Sequence, residues 1–191
     1  MPLKALFFDV FGTCVDWRKT VTEGLIEAAK EAGDTTMVCH PSTHFNQQLP
    51  KLTPTQSPSD WAAFAQEWRT SYLTFTRSIA ANPSLPYKTV DQHHHDSLLS
   101  LLSTHNLPNI FTPSQINDLT YIWHRLAPWP DTNAGLTNLH KELGLQTATL
   151  TNGNLTLITN MCNNSGMPFQ HILSAEMFDS YKPNPRVYLG A

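Results

Sequence analysis

Charge is scarce in this 191-residue chain: Asp, Glu, Lys and Arg together make up 14%, and twelve basic against fifteen acidic residues leave a net charge of −3. No basic stripe of the kind that phosphate backbones require is present, so nucleic acid is not an expected partner. Long apolar runs are also missing, and none approaches the roughly 20 residues needed to span a bilayer. The three cysteines, Cys14, Cys39 and Cys162, form an odd, scattered set without Cys-x-x-Cys spacing, which implies neither a zinc site nor a disulfide framework. Met1-Pro2-Leu3-Lys4 passes straight into a strand-like run with no charged-then-apolar leader. A soluble, cytoplasmic protein is expected, in which the nominal sequons at Asn154 and Asn163 are chance matches.

What is present suffices for one globular domain, or for a core carrying a smaller inserted domain: 40% of the residues are hydrophobic. Residues 3 to 9 form an apolar run ending in a lone Asp and followed by Gly12 and Thr13, which reads as a buried strand delivering a side chain into a loop. Leu145 to Leu150 is again strand-like, and Thr151-Asn152-Gly153-Asn154 supplies the turn before a helical stretch through about Ser165. Two strand-loop-helix units imply a parallel α/β sheet with its chemistry at the C-terminal strand ends. Between them the chain reads as helical. Ser57-Pro58-Ser59-Asp60 and Thr112-Pro113-Ser114-Gln115 are both helix starts, each with a capping hydroxyl and Pro at the first helical position. Asp34 to Pro58, rich in Thr, Ser, Pro, Gln and His, reads as an irregular surface loop.

Asp9, taken alone, serves equally well as a turn or capping residue. Its company favours chemistry. Phe7-Phe8-Asp9-Val10-Phe11-Gly12-Thr13 resembles the first signature of the haloacid dehalogenase-like hydrolases, Leu150-Thr151-Asn152-Gly153-Asn154 the second, and Tyr181-Lys182-Pro183-Asn184-Pro185-Arg186-Val187-Tyr188 the third. Trp123 to Asp131 extends the resemblance. The family implies a Rossmann-like parallel sheet core, here residues 1–17 and 128–191, with an inserted helical cap, residues 18–127.

The resemblance makes Asp9 a nucleophile and Lys182 its lysine partner. A carboxylate can attack an electrophilic carbon or phosphorus and form an ester or acyl phosphate that water then hydrolyses. A nearby ammonium favours the charged, attacking form. Thr13, Thr151 and Asn152 are expected to orient carboxylate and substrate through hydrogen bonds; as turn or capping residues they have a purely structural alternative. Phosphatases of the superfamily carry a second Asp two positions after the nucleophile and bind magnesium. Here that position is Phe11, which neither donates a proton nor ligates a metal.

An aromatic residue there resembles the 2-haloacid dehalogenase branch, which uses no metal or other cofactor. A departing halide needs no proton, only a positive or hydrogen-bonding cradle. Trp68-Arg69 resembles the Trp-Arg of that branch's cap, which assigns the halide to Arg69, with Arg18 as a rival cation. Tyr188 matches a tyrosine of the active-site wall; packing into the core is its alternative. The implied substrate is a small 2-haloacid, and relatives of this type are often homodimers. His93-His94-His95 does not make a metal site, because consecutive residues on a helix point in different directions.

The chain ends at Tyr188-Leu189-Gly190-Ala191, early in the helix after the lysine motif. A fourth family motif, thought to contribute Ser, Asn and a water-activating Asp, has no match, and one further strand-helix unit takes about 30 residues. The core is therefore expected to be incomplete at the C-terminus, and a catalytically impaired form acting by binding is the alternative function.

Overall fold

A computed structural model describes residues 4–35, 58–82 and 84–191. Strand β1, Ala5–Phe8, and strand β2, Gln146–Thr149, pair in parallel, with Ala5 opposite Gln146 and Phe8 opposite Thr149. The α/β reading of the sequence is thus realised in a parallel pair joined by a long helical crossover. Isolated bridges from Ala148 to His171 and from Thr151 to Ser174 add a third parallel segment on the far side of β2. The strands are shorter than the apolar runs suggest. β1 is also less buried than expected: the Phe7 side chain is 51% exposed, because β1 has a sheet partner on only one side among the described residues.

Helix α1, Trp17–Thr35, begins directly after the first motif, and helix α2, Pro58–Ala81, packs against it. Asp34 and Thr35 therefore end a helix and Pro58 begins one, where an irregular loop was expected. Residues 36–57, including the proposed cap Ser57, lie outside the described residues. Asp60 sits in the first turn of α2, where a carboxylate complements the helix dipole. Helix α3, Val90–Thr104, starts with a complete capping box between Thr89 and Gln92, and helix α4, Pro113–Thr120, repeats it with Thr112 and Gln115. The second of these was legible in the sequence. α3 buries Val90, His94, Leu98 and Leu102, a four-residue spacing that keeps one face toward α2.

A 3₁₀ segment, Tyr121–Arg125, leads back to the sheet, followed by helix α5, Thr132–Lys141, beside β2. Helix α6, Leu155–Ser165, ends at Gly166 in the left-handed conformation, φ 66°. Helix α7, Pro185–Gly190, follows the lysine motif. No described helix is long and apolar enough to cross a membrane.

Candidate active site

Asp9 lies one residue past β1, where the chain leaves the sheet. The turn that follows depends on Gly12, whose φ of +85° is strained for any residue with a side chain. It returns the Thr13 hydroxyl to donate to Asp9 Oδ2 at 3.2 Å. Lys182 arrives from the other end of the chain. Its Nζ donates to Asp9 Oδ1 at 2.7 Å and to the Leu150 carbonyl at 2.6 Å. The lysine side chain is 17% exposed and the aspartate 46%, so the cation is sheltered while the carboxylate keeps an open face.

Several bonds fix that lysine. Asn152 Oδ1 accepts from the Lys182 amide at 2.6 Å, and Asn152 Nδ2 donates to the Lys182 carbonyl at 3.2 Å. The neighbouring Tyr181 hydroxyl donates to Lys88 O at 2.6 Å, and Asn184 Nδ2 donates to Ala80 O at 2.8 Å. The lysine loop is thereby tied to the ends of α2 and α3. The Lys182–Pro183 peptide is cis.

Asn152 thus acts on Asp9 through Lys182 rather than by a bond of its own. Thr151 is fully buried, and its hydroxyl accepts from the Gly153 amide at 3.2 Å, which shapes its own turn. Of the three orienting residues named from the sequence, Thr13 is the one that touches the carboxylate. Tyr188 is 53% exposed and lines a cavity of about 310 Å³ with Asp9, Lys182, Leu150 and Phe7; it is not packed into the core. A larger cavity, about 520 Å³, lies between α3 and Tyr121 and includes none of the Asp9 group.

Phe11, two residues past Asp9, is buried, and Gly153 makes room for it. A Cβ at position 153 would stand 2.9 Å from the Phe11 ring and 2.8 Å from Ile158 Cδ1. Above the ring lies Arg69, 9% exposed, with its guanidinium carbon 5.3 Å from the Phe11 centroid, 5.7 Å from Trp17 and 4.3 Å from Tyr72. This three-sided aromatic cage is the kind of surface on which a planar guanidinium stacks. Arg69 Nη1 is buried without a hydrogen-bond partner. Arg18, the rival cation, is exposed, donates to Gln66 and stacks on the outer side of Trp17.

Tyr72 was passed over as a site residue in the sequence. Burial raises its phenol above the ordinary value, and the positive charge of Arg69 beside it pulls the other way. Its spacing from Trp61, Ala65 and Trp68 along the buried face of α2 was the available signal. Cys14 donates its thiol to the Asp9 carbonyl at 3.3 Å, and burial, reinforced by the Asp9 charge, pushes it up to about 11. The three histidines diverge as helix geometry requires. His93 stacks on Phe75, His94 is fully buried and His95 is exposed. Among the described residues no group of three or more His, Cys, Asp or Glu is placed to hold a metal ion.

The sequence and the fold have counterparts in known proteins. A family model described as haloacid dehalogenase-like hydrolase matches residues 3–191. The (S)-2-haloacid dehalogenase H-109 of Pseudomonas putida is 25% identical over 98% of this chain and 69% of its own length. Two solved structures superpose closely. The L-2-haloacid dehalogenase PA0810 has a TM-score of 0.76 at 31% identity, over 99% of this chain and 69% of that one. The defluorinating L-2-haloacid dehalogenase Rha0230 has a TM-score of 0.79 at 28% identity, over 98% and 66%. The chain spans about two thirds of the length of these relatives. Over its matched length, it belongs to the haloacid dehalogenase-like hydrolases.

Proposed function

We propose that the protein carries out hydrolytic dehalogenation of a small 2-haloacid through an ester on Asp9. One Asp9 oxygen attacks the carbon that bears the halogen. A carbon–oxygen bond forms, the carbon–halogen bond breaks, and the halide leaves with the bonding electrons. Lys182 and Thr13 hold the carboxylate while its open face meets the substrate. Arg69 receives the halide through its unpartnered Nη1. Water then cleaves the ester and regenerates Asp9. The 310 Å³ cavity is of the size that takes a small molecule, with Tyr188 on its wall. On this reading residues 1–17 and 128–191 are the hydrolase core and residues 18–127 the cap.

The observation that carries the proposal is the Lys182–Asp9 pair, with Phe11 two residues on and Arg69 over its ring. A phenyl ring fills the place where a phosphatase acid would stand, and a buried guanidinium with a free donor lies over it. The dehalogenase relatives support the choice of substrate class. Incubation with 2-chloropropionate should release chloride in proportion to enzyme. Absence of release from folded wild-type protein, with no ester on Asp9 by mass spectrometry, overturns it. The cofactor expectation is none, and the partner expected at the site is the haloacid alone.

A further inference from the structure

Asp91 and His124, to which the sequence assigns no role, form a largely buried pair. Asp91 stands in the first turn of α3, and its Oδ1 accepts from His124 Nε2 at 3.0 Å, the two side chains being 20% and 4% exposed. A carboxylate so placed is costly to desolvate unless its oxygens are answered. The other oxygen, Oδ2, accepts from Asn154 Nδ2 at 2.9 Å, in the loop that follows β2. His124 in turn faces α6: its Nδ1 lies 3.1 Å from Asn160 Nδ2, and its carbonyl accepts from Asn164 Nδ2 at 3.1 Å. A carboxylate only accepts and an amide NH2 only donates, so both ring contacts are made by the tautomer that carries its proton on Nε2.

The place where this pair is attached matters more than its strength. Asn154 is two residues past Asn152, whose side chain holds the Lys182 amide at 2.6 Å and the Lys182 carbonyl at 3.2 Å. On the other side, Tyr181 precedes Lys182, and its hydroxyl donates at 2.6 Å to the carbonyl of Lys88, three residues before Asp91. The Tyr181 ring is fully buried and stacks on Tyr87 at 5.3 Å between centroids and 17° between planes. The start of α3 is thus bonded both to the loop that clamps Lys182 and to the lysine loop itself.

We infer that Asp91 and His124 are positioning residues for the proposed reaction: they fix the start of α3 to the Asn152 loop and so keep the Lys182 ammonium set against Asp9. The inference rests on the dehalogenase reading of Asp9 and Lys182 and extends it to a pair remote from the nucleophile in sequence. Neither residue touches substrate or exchanges a proton with it. Their contribution is geometric, and a misplacement of about 1 Å at a reacting group is enough to cost about 10²-fold in rate.

Hydrogen exchange of the Lys182 amide, read by NMR on the intact 191-residue chain, reports the clamp without requiring turnover. Asp91→Ala and His124→Phe should speed that exchange by about tenfold or more, while the amides of the β1–β2 pair keep their wild-type rates. At saturating 2-chloropropionate, formation of the Asp9 ester should slow by about tenfold or more, with little change in KM. Asp91→Asn, which keeps one acceptor oxygen, should recover part of both losses. If the first two variants do not fold, Asn154→Ala cuts the bond to Asp91 Oδ2 alone, since the Asn154 side chain makes no capping bond to α6; both effects should then be about threefold or more. Folded variants that lose thermal stability but keep the wild-type Lys182 exchange rate overturn the proposal, as does faster exchange with ester formation unchanged. If wild-type protein forms no ester, the dehalogenase reading falls by itself, and exchange alone decides whether the pair holds Lys182 in place.

Discussion

Lys182 Nζ rests 2.7 Å from Asp9 Oδ1 although 173 residues separate them in sequence. The same ammonium holds the Leu150 carbonyl at 2.6 Å, so it bridges the chain segments that follow β1 and β2. Lys182→Met should lower chloride release from 2-chloropropionate by about 10²-fold or more. Lys182→Arg should not restore it, because a forked guanidinium does not reproduce a point charge between two oxygens.

Asp9→Asn leaves the carboxylate's shape and removes its nucleophilicity. Ester formation should fall by at least about 10³-fold. Mass spectrometry after exposure to 2-chloropropionate measures it directly, with the wild-type adduct localised to the peptide containing Asp9.

Arg69 and Arg18 should separate by function. Arg69→Gln should reduce kcat by about 10²–10³-fold with a smaller change in KM, as expected for a contact that strengthens while the halide leaves. Arg18→Ala, on the outer face of Trp17, should stay within about twofold of wild type. Steady-state chloride release on both variants decides between them.

Much of this site was legible because its parts are local. A strand ending in Asp, a turn opening on Gly12, and a loop of Thr151, Asn152 and Gly153 each announce themselves within a few residues. Thr112 and Gln115 likewise declare a helix start three residues apart. The roles of Thr151 and Asn152 were not legible, because they depend on which backbone groups the lysine loop brings near. His94 was hidden by its neighbours. Read as a triplet, it suggested and then excluded a metal; read with Val90, Leu98 and Leu102, it falls on the buried face of α3. Lys182 and Asp9 meet only after the crossover folds, and no spacing rule reaches that far.

Acid should weaken the fold through His93. Burial, helped by Lys88, lowers its pKa from 6.5 to about 4. The unfolded chain therefore takes up a proton that the folded chain refuses. Its contribution is complete above pH 6.5 and is lost as pH falls toward 4, by no more than about 1.4 kcal/mol per pH unit. Urea denaturation from pH 7 to pH 5 should show a shallower pH slope for His93→Leu than for wild type.

Gly153→Ala should destabilise by about 1–3 kcal/mol, because the added carbon meets Phe11 and Ile158 closer than 3 Å. Chemical denaturation measures it. A full-strength wild-type midpoint in the variant would show that the ring and Ile158 can yield.

That contact couples two positions far apart in sequence. Introducing a carboxylate at position 11, the step toward phosphate-ester chemistry, would empty the space that the bare backbone at 153 leaves open, while enlarging 153 first would press on the ring before any new reaction was gained. Neither change is neutral without the other. Any change of residue type at position 11 is thus coupled by packing to the size of the residue at position 153.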